Sequence, residues 1–216
     1  MHIDTNIPSE TLPPTRVGGT SPNLIEEVFR LYDRALAATS NGIAIADAMQ
    51  PDNPIIYCNP AFEKITGYDR SEILGRNCRF LQGPDTDRTA LDRIRVALRE
   101  KHDCKVVLKN YRKDGTPFWN ELTISPVRDS RGCVTNFIGV QADITDRKQA
   151  EEALKQAESK SRSIFENATE GIFQTTPDGR YISANPALAR MYGYDSPEEL
   201  IANCCTQKLY ADRTRH

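Results

Sequence analysis

CKVVLKNYRKDGTPFWNELTIS, residues 104–125, alternates apolar and polar positions on both sides of a Lys-Asp-Gly turn at 113–115. A period of two marks a half-buried strand, and a glycine turn between two such runs marks an antiparallel hairpin. The spacing predicts strands over 104–112 and 117–125. A third run, 133–142, follows the turn Asp-Ser-Arg-Gly and extends the sheet. Upstream, GIAIAD from 42 and IIYC from 55 add two shorter strands. Short helices and loops are expected over 60–83, and a helix over 88–101. Five antiparallel strands with helices on one face make the fold α+β.

Side chains alternate faces along a strand, so parity tells which residues share a surface. Asn110 falls with Val106 and Leu108, Asn120 with Phe118, Leu122 and Ile124, and Gln141 with Phe137 and Gly139. Three carboxamides on one apolar face can satisfy one another or the backbone. They can also hold a ligand, because a carboxamide both donates and accepts and so suits a heterocycle edged with carbonyls and N–H groups. Gly139 leaves room there for a flat ring. The opposite face carries Val107, Trp119, Ile138 and Val140, apolar enough to predict a cover from a flanking helix or a second protomer.

Outward from the sheet, residues 1–20 are rich in Pro, Thr and Gly and are expected to be a disordered leader. Ser21-Pro22 reads as a cap and first turn of a flanking helix over 21–39. After Asp143 the chain turns helical, with Ala150, Leu154, Ala157, Ser161, Ile164 and Ala168 on one seam. A linker helix over 144–165 follows, either a coiled coil or a surface helix. NPAFEKITGYDRSEILGRN at 59 returns as NPALARMYGYDSPEELIAN at 185. Residues 161–216 are therefore expected to begin a second copy of the fold, cut before its later strands.

The net charge of −2 gives no global attraction to nucleic acid or to an anionic membrane. The apolar runs are too short to span a bilayer, and the N-terminus lacks a signal-peptide pattern, so a cytoplasmic location is expected. The six cysteines form no C-x-x-C pair and no His/Cys cluster, so neither a metal site nor a disulfide framework is predicted.

One cysteine stands apart. GRNCRFLQG, residues 75–83, sets Cys78 between Asn77 and Arg79 with Gln82 four positions on. A lone cysteine usually fills a core, and reactivity needs a polar, electropositive setting. Together with NYRKDGTPFWNELTISPV and FIGVQADIT, however, this stretch closely resembles the light-oxygen-voltage (LOV) subclass of PAS domains over residues 40–143. The resemblance implies a PAS fold and a flavin chromophore, usually FMN, with FAD or riboflavin as variants. It implies that blue light bonds the Cys78 thiol to the C4a carbon of the ring. By position, Asn77 and Gln82 would contact the ribityl chain, and Arg79 and Arg95 would hold the phosphate. Asn110 and Asn120 would bond the pyrimidine edge, Leu81, Leu122 and Phe137 would form apolar walls, and Gln141 would sit beside N5 as the signal switch. Ala46 departs from the plant members, which carry threonine there.

The resemblance makes the chain a sensory input region rather than an enzyme, with a second PAS module and an absent output such as a histidine kinase or a cyclic-dinucleotide enzyme. A homodimer through the flanking helices and the outer sheet face is expected. Cys204 aligns with Cys78 but lacks the arginine and the Leu-Gln-Gly, so the second copy reads as an interaction module without flavin. Two rivals stand beside this reading: a flavin redox protein, for which no G-x-G-x-x-G fingerprint speaks, and a PAS dimerisation scaffold without photochemistry.

Overall fold

A computed structural model describes residues 22–203. The expected leader, the Ser21 cap and Cys204 lie outside these residues. The chain divides into two compact units, with the boundary after Asp143.

In the first unit, helix α1 (Pro22–Ala37) precedes strands β1 (Gly42–Asp47) and β2 (Ile55–Cys58). Helices α2 (Pro60–Thr66) and α3 (Arg70–Ile73), a 3-10 turn (Cys78–Leu81) and helix α4 (Arg88–Glu100) follow. Strands β3 (Cys104–Tyr111), β4 (Pro117–Arg128) and β5 (Val134–Asp143) complete the unit. The sheet order is β2-β1-β5-β4-β3, antiparallel throughout, as the hairpin pattern predicts.

Parity holds along the hairpin. Val106, Leu108, Asn110, Phe118, Asn120, Leu122 and Ile124 are all buried, with Phe137 and Gln141 on β5. Helix α4 lies over this face, burying Ala90 and Ala97 and packing Ile94 and Leu98 against the sheet. Asp87 starts the helix by accepting from Thr89 N at 2.9 Å, and Lys101 ends it in left-handed backbone at φ 56°. A second cluster, built on Ile55, Cys58, Phe62, Ile73 and Leu81, seats the 3-10 turn beside β1 and β2.

Fully buried Asn59 joins these parts. Its Oδ1 accepts from Ile43 N at 2.7 Å and Phe62 N at 3.0 Å, and its Nδ2 donates to Leu36 O at 2.9 Å. One amide therefore caps α2, fixes the start of β1 and holds the end of α1. Asn185 repeats the arrangement in the second unit, accepting from Ile172 N and Leu188 N at 2.9 Å each. The internal repeat is thus a repeat of structure.

That second unit contains helix α5 (Thr145–Asn167), strands β6 (Phe173–Thr175) and β7 (Tyr181–Ala184), and helices α6 (Pro186–Met191) and α7 (Pro197–Asn203). Tyr181, Ala184, Leu188 and Leu200 form its small core. Helix α5 buries no side chain, and Leu154 and Ile164 on its seam stand exposed. In the first unit Phe29 and Tyr32 of α1 are exposed as well, while the outer sheet face is half-buried at Trp119, Ile138 and Val140.

Candidate functional site

The two core clusters leave a cavity between the inner sheet face, α4 and the 3-10 turn. Asn77 builds the turn: its Oδ1 accepts from Arg79 N at 3.0 Å, which places Cys78 at the first position of the turn, on the cavity wall. Downstream, Gly83 passes under the ring of Tyr111 so closely that a Cβ would meet the ring at 2.3 Å. Only glycine lets the chain leave the turn by this route.

From Cys78 a row of amides crosses the sheet. Gln141 Nε2 donates to Cys78 Sγ at 3.4 Å, and Gln141 Oε1 accepts from Asn120 Nδ2 at 3.1 Å. Asn120 Nδ2 also donates to Asn110 Oδ1 at 2.8 Å, and Asn110 Nδ2 donates to Leu81 O at 3.1 Å. The three amides thus satisfy one another in part. One atom is left over: Asn120 Oδ1 is buried with no hydrogen-bond partner. An orphaned acceptor costs about 1–3 kcal/mol, so the site calls for a donor there. Nearby on the cavity wall, a Cβ on Gly139 would make only ordinary contact, with Ala44 O and Leu122 Cδ1 at 3.8 Å each.

Burial pushes the Cys78 thiol up to about 11, against a smaller opposing effect of the Gln141 hydrogen bond. At neutral pH it is therefore a protonated thiol and not a thiolate nucleophile. Cys58 is also raised, chiefly by burial, and sits in the apolar cluster away from the cavity wall.

Asn77, Cys78, Arg79, Gln82, Asn110, Asn120, Leu122, Phe137, Gly139 and Gln141 line this one cavity, with Ala46 among them. Leu81 and Arg95 do not. Leu81 is buried in the second cluster and offers the amide row its carbonyl. Arg95 pairs with Asp92 at 2.6 Å on an exposed face of α4, because Ile94 and Leu98, one turn apart, are the residues that face the cavity. The i, i+4 spacing of Ile94 and Leu98 was a usable signal for that role. Asn53 also lines the cavity, from a loop where periodicity carries no signal.

PAS domain models match residues 40–146 and 159–214. The blue-light photoreceptor of Listeria monocytogenes is 47% identical over 140 residues, which is 63% of this chain and 55% of that one. A solved RNA-binding light-oxygen-voltage receptor is 41% identical with a TM-score of 0.57, over 71% of this chain and 42% of that one. A light-oxygen-voltage domain whose mechanism was studied with a flavin analogue is 46% identical with a TM-score of 0.51, over 59% of this chain and 93% of that one. The chain spans about half the length of the Listeria protein and under a fifth of a Halobacterium salinarum transcriptional activator and of rice phototropin-2, which it also matches. Because one neighbour binds RNA, net charge is no ground for excluding nucleic acid. Among the described residues no helix is long and apolar enough to cross a membrane.

Proposed function

The chain belongs to the PAS domain family, a light-oxygen-voltage domain followed by a second PAS domain, and from that premise we propose a blue-light sensing input region whose residues 40–143 hold a flavin beside Cys78. The observation that carries the reading is the unpaired Asn120 Oδ1 in a row of amides that ends at a thiol. A flavin edge alternates carbonyl and N–H groups, so its N–H supplies the missing donor and its carbonyls take amide protons. The lack of a side chain at Gly139 on the cavity wall suits the close approach of a ring plane.

Bound flavin supplies, on absorbing blue light, a ring that is electron-poor at C4a and basic at N5. Cys78, a neutral thiol on the cavity wall, would supply both the sulfur and the proton that such a ring could take. Gln141, whose amide donates to Cys78, carries both a donor and an acceptor and would be the side chain able to answer a change of protonation on a ring held there. Purified protein should show structured absorption in the blue that blue light removes and darkness restores. A protein without a chromophore, or a coloured one that does not bleach, contradicts the reading.

FMN is the proposed chromophore, with Arg79 at its phosphate. Arg79→Ala should weaken FMN binding about tenfold and spare riboflavin, because charge-assisted bonds to phosphate are lost only in FMN. Arg95→Ala should add little, since that side chain is off the cavity. Equal losses of both flavins in Arg79→Ala would remove it from the phosphate site.

Gly139→Ala should fold normally, because the new methyl makes only ordinary contacts at 3.8 Å with Ala44 O and Leu122 Cδ1, and flavin affinity should fall about tenfold, because the methyl crowds a ring lying against the strand. Melting temperature and flavin titration read the two effects separately. Undiminished affinity would place the ring elsewhere. Dimerisation through α1, α5 and the outer sheet face belongs to the same proposal, supported by the exposed Phe29, Tyr32, Leu154 and Ile164. The output controlled by this region is proposed to lie in the wider protein.

A further inference from the structure

We infer that Asp52 is a specificity-determining residue that works against the phosphate of a bound flavin, an inference that rests on the flavin reading of the cavity. The loop between β1 and β2 holds Asp52 and Asn53 in left-handed backbone, at φ 71° and 48°. Asp and Asn adopt that region more readily than other side chains. The Asn77 amide donates to the Asp52 carbonyl, so the loop is tied to the turn that carries Cys78.

Held there, Asp52 faces Arg79, the one arginine on the cavity wall among the described residues. Arg79 Nη1 lies 2.6 Å from Asp52 Oδ1 and 2.7 Å from Oδ2. Both side chains are 58% exposed, which places the pair at the cavity mouth. Arg95 contributes no free charge nearby, because Asp92 is paired with it.

A phosphate arriving at Arg79 therefore meets a guanidinium whose charge a carboxylate already matches. It must displace that carboxylate or share the fork with it, and either step opposes binding. The uncharged end of riboflavin faces no such opposition. The preference of the site for a phosphate-bearing flavin is thus smaller than one arginine alone would give. Solvent screening at the mouth keeps the effect modest, about fivefold to tenfold.

Dissociation constants for FMN and riboflavin, measured on the full chain by flavin fluorescence at low and high salt, test the inference. Asp52→Asn should tighten FMN about fivefold to tenfold at low salt, less at high salt, and leave riboflavin within about twofold. Asp52→Ser removes the same charge with a different side chain and should shift the ratio of the two constants in the same direction. An unchanged ratio in both variants overturns the inference. A ratio that moves toward riboflavin also overturns it, by making Asp52 a residue that orients Arg79 for phosphate. Wild-type protein that binds neither flavin overturns the functional reading as well, a result distinct from an unchanged ratio.

Discussion

Cys78→Ala protein should stay yellow and lose its light response. The substitution removes one sulfur at the edge of a cavity whose other walls are untouched: the amide row, Leu122, Phe137 and Gly139 remain. Flavin retention should therefore stay close to wild type, and blue light should leave the absorption band in place. The buried thiol also sets an expected pH dependence for the wild type. With the thiol pushed up to about 11 by burial, its protonated fraction barely changes across the neutral range. Bleaching should then proceed at one rate from about pH 6 to about pH 9, a range across which an ordinary exposed thiol, with a pKa of about 8.5, becomes mostly ionised. A rate that climbs through that window would mean that the thiolate is the reacting form. A Cys78→Ala protein that still bleaches reversibly would move the chemistry to another residue. Among the described cysteines Cys58 and Cys104 are buried in the core clusters and Cys133 is exposed, and none of the three lines the cavity.

The sheet was legible because a period of two is hard to produce by accident over twenty residues. Parity put Asn110, Asn120 and Gln141 on one face, and the structure bonds them into one row. Strand ends were less legible. Pro126 suggests a stop near 125, yet β4 continues to Arg128, pairing Pro126 with Phe137 and Val127 with Asn136. Beyond Ile124 it has no β3 partner, so it is an edge there, where proline is tolerated.

Within the cavity, strand residues were easier to place than those of α4 and the loops. Strand parity is binary, whereas a helix turns 100° per residue, so moving from Ile94 to Arg95 exchanges a cavity wall for solvent. Asn53 and Asp52 were invisible for a different reason. Their left-handed backbone sets the loop, and the ties of Asp52 to Asn77 and Arg79 join residues more than twenty positions apart, a closure that no local pattern encodes.

Gln141→Leu should keep the photochemistry and silence the helix that follows. Leucine fills similar space but neither donates to Cys78 nor accepts from Asn120, whose amide keeps its bond to Asn110. The thiol and the ring space at Gly139 are unaltered, so bleaching persists. What is lost is the group proposed to exchange its donor and acceptor roles when a bound flavin changes protonation. Gln141 lies on the central strand of three, opposite Gly42 on β1 and Leu122 on β4. A turned amide there strains a strand clamped on both edges. Two residues on, the strand ends at Asp143, and α5 begins at Thr145. That helix buries no side chain, so packing adds little to its stability and a small disturbance at its first turn should change how readily it opens. Hydrogen exchange over residues 145–167, in darkness and under blue light, reads this directly. Wild type should show a light-dependent change in protection that is strongest near Thr145. In Gln141→Leu the change should vanish while bleaching remains. Light-independent exchange in the wild type, or a full response in Gln141→Leu, would show that the signal leaves the cavity by another route.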